Sequence, residues 1–121
     1  MCIQNVEKKQ IAETDIICWK FGTISKDGGT FESLCHRFKY ELKKPYKTDI
    51  VIKGTEGFQG FHTLQNESAI LLIRSLDVVR CVIPKGATYY SGHYTTISGE
   101  IVPNYISDEL IVVEKRDANG G

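Results

Sequence analysis

The sequence predicts an α+β fold, with a single β-rich domain of mostly antiparallel sheet and one main helix over about residues 64–76. Three observations lead there. Runs of β-branched and aromatic residues recur between turns bearing Gly, Pro or Asp. One segment alone spaces its apolar residues at i, i+3, i+4 and i+7. The chain has 121 residues, enough to bury one core but too few for two domains.

Along the chain, residues 1–13 are polar and weakly patterned, reading as a loose lead-in or a first short strand. Asp15 to Phe21 is rich in Ile, Trp and Phe and reads as a strand. Ser25 to Thr30 is turn chemistry, because Asp27, Gly28 and Gly29 adopt positive φ cheaply. From His36 to Leu42 the pattern alternates, with Phe38, Tyr40 and Leu42 on one side and Arg37, Lys39 and Glu41 on the other. Pro45 ends that strand, and Thr48 to Lys53 begins another. Gly54, Gly57 and Gly60 punctuate the next stretch.

The helix follows, with Thr63 as its N-cap, Glu67 in its first turn, and Ala69, Leu72, Ile73 and Leu76 as its core-facing stripe. Asp77 to Pro84 is almost continuously apolar and reads as a central strand. Ala87 to Tyr90 reads as a short strand before a loop through Gly92 and Gly99. Leu110 to Glu114 is the last strand, and residues 117–121 form a frayed tail.

Fifteen basic residues balance fifteen acidic ones. That balance argues against a dedicated duplex-DNA binder, which carries a basic excess. The charge is nevertheless uneven. His36 to Lys53 holds Arg37, Lys39, Lys43, Lys44, Lys47 and Lys53 against Glu41 and Asp49, whereas Tyr94 to Asp117 is acidic. Two complementary solvated faces would produce this pattern, as would a local anion site. Cys2, Cys18, Cys35 and Cys81 form no C-x-x-C pair, and no signal-peptide core or apolar span of membrane length is visible. The expectation is a cytoplasmic protein with reduced thiols, Cys18 and Cys81 being buried as small hydrophobes.

Four constellations bear on chemistry. Gly60-Phe61-His62-Thr63, leading into a helix, would direct N–H groups and a positive dipole at a phosphate or carboxylate; the alternative is a half-buried His62 beneath a capped helix. The hydroxyl-rich stretch with Tyr89, Tyr90, Tyr94 and Tyr105 offers stacking faces for a base or sugar, or else an edge that packs on the sheet or a second subunit. Cys35, His36, His62, Cys81 and His93 lack the spacing of a metal site, and no cofactor motif is present. Acidic residues around the last strand, Glu109 and Glu114 among them, would stabilise a sugar cation or serve as ordinary strand-end charges.

The segments Asp15 to Lys20, Gly60 to His62, Arg80 to Gly92 and Tyr105 to Val112, in that order, resemble a group of small proteins of bacteriophages and gut bacteria. The same order is similar, more weakly, to ADP-ribosyltransferases. That resemblance implies catalysis on NAD with Trp19-Lys20 at the first motif, His62 and Thr63 at the second, and Glu109 or Glu114 at the third. Lys20 stands where that family has Arg or His, and the glutamates lack the family's usual neighbours.

In setting and size the chain also resembles phage proteins that sequester nucleotide signals of bacterial immunity. The leading expectation is therefore a non-catalytic binder of a small anionic nucleotide-derived ligand. Arg37 and Lys39 would meet the phosphate, His62 and Thr63 would donate hydrogen bonds, and Tyr89, Tyr90 and Tyr94 would stack. Edge strands and the Tyr-rich stretch also favour a homo-oligomer. A module that binds a host protein through its strand edges is the third reading.

Overall fold

A computed structural model describes residues 5–33, 38–66 and 77–115. Twelve strands run through them: β1 (Lys9–Ile11), β2 (Ile16–Ile24), β3 (Thr30–Ser33), β4 (Lys39–Glu41), β5 (Pro45–Lys47), β6 (Val51–Lys53), β7 (Glu56–Gln59), β8 (Phe61–Leu64), β9 (Asp77–Ile83), β10 (Thr88–Thr95), β11 (Ile101–Ser107) and β12 (Glu109–Lys115). The main sheet is ordered β1-β10-β11-β8-β2-β9-β12-β5, with β3 and β4 joined to it through β2, and β6-β7 forms a separate hairpin. Every pairing is antiparallel.

The fold class is therefore all-β, and the expected α+β class is overturned. Strands make up 64% of the described residues, and no helix occurs among them. Leu64, the expected start of the helix, ends β8 instead, and Thr63 pairs with Tyr105 rather than capping a helix. The physical reason is tertiary. Phe61 to Leu64 gains a ladder with β11 and sends Phe61 and Leu64 into two cores on opposite faces, which outweighs the local capping signal. Residues 67–76, with the apolar stripe, lie outside the described residues.

The expected loop through Gly92 and Gly99 is a second correction. It is the β10–β11 hairpin, paired from Tyr89↔Ser107 to Thr95↔Ile101. The Tyr and Thr content that suggested a ligand loop also suits a pleated, half-buried surface. The strands expected around Asp15 to Phe21, Asp77 to Pro84 and Leu110 to Glu114 are β2, β9 and β12, which lie side by side at the sheet's centre.

Two clusters hold the sheet. Cys18, Phe31, Tyr40, Phe61, Val79, Cys81, Ile83, Leu110 and Val112 belong to the larger core. Phe21, Leu64, Val78 and Val102 pack on the reverse face, with Trp19 and Tyr94 against them. Cys18 and Cys81 are directly opposed across β2 and β9, fully buried and unbridged. Burial first, and then contact with Cys18, pushes the Cys81 thiol up, so it behaves as an apolar filler at neutral pH.

The strand β2 forks. One edge pairs with β9 from Ile16 to Gly22. The other edge meets β8 at the single pair Trp19↔Leu64, and then switches to β3 from Gly22 to Ile24. Gly22 is the residue at the switch. A Cβ there would lie 2.7 Å from the Phe31 ring, so only glycine lets β3 approach. Gly22→Ala should accordingly cost about 3 kcal/mol, at the upper end for overpacking a core. Urea unfolding measures it, and an unchanged midpoint would contradict the packing at the fork.

Candidate functional site

Between the arms of the fork lies a cavity of about 570 Å³, within the range of small-molecule sites. It exists because β2 and β8 share one pair and then separate. Lys20 follows Trp19 on β2 and Thr63 precedes Leu64 on β8, so both stand one residue beyond the point where pairing stops. Side chains from both faces of the two strands enter the gap. Trp19, Phe21, His62 and Leu64 come from one face and Lys20, Phe61 and Thr63 from the other, with Asn104 of β11 also on the lining.

The β3–β4 hairpin contributes Ser33, Phe38 and Tyr40 to the wall, and β5 and β7 bring Lys47, Thr48, Phe58 and Gln59 to it. The wall is largely aromatic. Phe38 lies 4.7 Å from Tyr40 and 6.4 Å from Phe61, between ring centroids, and Tyr40 stands 5.3 Å from Tyr46. Burial pushes the Tyr40 phenol well above its ordinary range, so it stays a neutral hydroxyl. Gln59 donates to Thr48 Oγ1 at 3.2 Å, tying the β7 end to the segment after β5. Gly60, at φ 143°, joins β7 to β8 with Ile106 so close that a Cβ would sit 2.6 Å from its side chain.

Charge in the cavity has one sign. Lys20 and Lys47 line it, and no Asp or Glu does so among the described residues. Lys20 Nζ donates to the His62 carbonyl at 2.6 Å, which fixes the ammonium across the gap. This bond satisfies a strand carbonyl where the β2–β8 ladder has stopped. Lys47 is exposed and stands 3.6 Å from Glu109, an ion pair worth little in solvent.

Two buried polar groups in the lining remain unsatisfied. Thr63 and Asn104 are only 2% and 3% exposed. Among the described residues, Thr63 Oγ1 and Asn104 Oδ1 find no hydrogen-bond partner. Such groups usually cost about 1–3 kcal/mol each, and native proteins retain few of them without a reason.

The residues expected to form a site are dispersed. His62 and Thr63 do line the cavity, but as part of a strand and not at a helix N-terminus. Lys39 projects into solvent from β4, opposite Glu32. Arg37 lies outside the described residues. None of Tyr89, Tyr90 and Tyr94 lines the cavity. Tyr89 donates to Gln10 Oε1 at 2.6 Å and meets Tyr105 edge-on at 5.6 Å. Tyr90 shares a cross-strand row with His62, but Ile106 stands between them. Tyr94 packs against the reverse-face cluster, and burial raises its phenol.

Of the two glutamates, Glu109 pairs with Lys47 and Glu114 is turned away from Lys20. Glu114 pairs in register with Arg80, which is opposite Trp19, so it projects from the face opposite to Lys20. Its carboxylate binds Arg80 Nη2 at 2.7 Å. Sequence reasoning missed Thr48 and Asn104, together with the role of Lys20 as a cavity cation. Asn104 alone carried a usable signal, being a polar residue inside an otherwise apolar strand.

Compared with family models, with curated proteins and with solved structures, the chain matches none. Among the described residues no helix is long and apolar enough to cross a membrane, and no three His, Cys, Asp or Glu residues stand together as metal ligands.

Because Thr63 and Asn104 are buried without partners, replacing them with apolar side chains of similar size should stabilise the ligand-free protein. Thr63→Val and Asn104→Leu are each expected to gain about 1 kcal/mol, a rise of roughly 4 °C in melting temperature for a domain of this size. Thermal unfolding followed by circular dichroism measures this. A fall in melting temperature for both variants would mean that these groups are satisfied inside the folded chain.

Proposed function

We propose that this chain binds a small, anionic, nucleotide-like ligand in the cavity between β2 and β8, and holds it without turning it over. The observation that carries the reading is a cavity of about 570 Å³ with an aromatic wall, whose only charged lining residues, among the described residues, are Lys20 and Lys47. An anionic group on a ligand would meet Lys20, whose ammonium is held across the gap. Trp19, Phe38, Phe58 and Phe61 offer flat apolar area for a ring.

Binding without turnover fits the arrangement better than transfer chemistry on NAD. Glu114 is engaged with Arg80 on the face away from Lys20, and Glu109 pairs with Lys47. Tight retention of such a ligand amounts to sequestration, the role suggested by the resemblance to phage proteins that withdraw nucleotide signals.

Calorimetric titration with the four common ribonucleoside 5′-monophosphates tests the reading. At least one should bind. Lys20→Met should weaken that binding by at least about tenfold, since a hydrogen bond to a charged group contributes about 1.5–3 kcal/mol and 1.4 kcal/mol is a factor of ten. Absence of binding by all four, with the protein folded, would contradict it.

A further inference from the structure

The β6–β7 hairpin stands apart from the sheet that builds the rest of the cavity. Among the described residues it pairs with no strand of the main sheet, and none of its residues belongs to either core cluster. Two hydrogen bonds tie it to the rest of the described chain. At its turn, Val6 N donates to the Thr55 carbonyl at 2.9 Å. At its base, Gln59 Nε2 donates to Thr48 Oγ1 at 3.2 Å.

The base is pinned on both sides. Thr48 N donates to the Asp108 carbonyl at 2.9 Å, and Gly60 lies so close to Ile106 that no Cβ would fit. Gly60 also holds φ at 143°, in the region that favours glycine. Between these two points the hairpin turns as a unit once the single bond at Val6 breaks. A segment with few buried apolar contacts and few outside bonds opens at a lower free energy than the strands of a core.

Phe58 is what the hairpin brings to the cavity. It lines the cavity yet is 59% exposed. The other rings of the wall pack on one another, Phe38 with Tyr40, Tyr46 and Phe61. Phe58 shares no ring contact with them among the described residues. Its partner is Lys53 of the same hairpin, whose Nζ stands 3.8 Å over the ring. The ring is therefore fixed to the hairpin and moves with it. An exposed phenylalanine at the rim of an apolar cavity gains by closing on whatever fills that cavity, because closure takes apolar surface out of water.

We propose that β6–β7 is a flap, hinged between Thr48 and Gly60, that opens to admit the ligand and closes on it through Phe58. This rests on the reading of the cavity as a nucleotide site and adds how that site is entered and shut.

Amide hydrogen exchange followed by NMR tests it on the full chain. In the free protein, the hydrogen-bonded amides of β6 and β7 should exchange at least about tenfold faster than those of β2 and β9. The ribonucleoside 5′-monophosphate that binds tightest is then added at about ten times its dissociation constant. The hairpin amides should slow by about tenfold, because the flap opens only when the site is empty. In Phe58→Ala, at the same multiple of that variant's own dissociation constant, most of the slowing should vanish. Hairpin amides as protected as those of β2 and β9 in the free protein, or unslowed by bound nucleotide, would overturn the flap and leave the nucleotide site standing. Full slowing in Phe58→Ala would overturn the role of Phe58. Failure of every monophosphate to bind would remove both the site and its flap.

Discussion

The structure depends on one constraint, the fork in β2. A strand has two hydrogen-bonding edges, and one edge of β2 is committed to β9 along seven register pairs from Ile16 to Gly22. The other must serve both β8 and β3, and it manages one pair with the first before turning to the second. Backbone groups on separated strands cannot stay dry and unpaired. Lys20 reaches across to the His62 carbonyl, which turns a break in the ladder into a fixed positive charge at the edge of a cavity. Gly22 permits the switch, and the aromatic hairpin formed by β3 and β4 walls it off.

From that constraint the chemistry of the cavity follows. A sheet that closed fully between β2 and β8 would have no room for a ligand and no reason to bury Thr63 Oγ1 or Asn104 Oδ1 without partners. A purely structural gap would be lined by apolar groups, as dry cavities are. This one mixes aromatic surface, two lysines and unsatisfied hydrogen-bonding atoms.

Much of the sheet was legible in the sequence. Apolar runs with β-branched residues marked β2, β9 and β12, and alternation about Tyr40 marked β4. The burial of Cys18 and Cys81 followed from their strand context. The fold class was not legible, because Thr63 with Glu67 and the stripe from Ala69 to Leu76 resemble a helix start locally, whereas Phe61 to Leu64 answers to β11, some forty residues away. The tyrosines of β10 misled for a related reason. Side chains that suit a base also suit a half-buried strand, and packing against Gln10, Tyr105 and the reverse-face cluster claims them. The site itself depends on where pairing stops, a property of register that no local pattern of residues encodes. Hence His62 and Thr63, named from the sequence, line the cavity as strand residues and not as a helix start, while Asn104 joins them only through the pairing of β8 with β11.

The central claim is that the ligand enters the fork rather than docking on the Tyr-rich hairpin or an outer strand. Amide chemical-shift mapping during titration with adenosine 5′-monophosphate tests this most directly. The account predicts shifts concentrated at Trp19 to Phe21, Gly60 to Leu64 and Asn104, saturating together with one affinity. Shifts centred instead on Lys39 or on Tyr89 to Tyr94, with the fork unmoved, would contradict it.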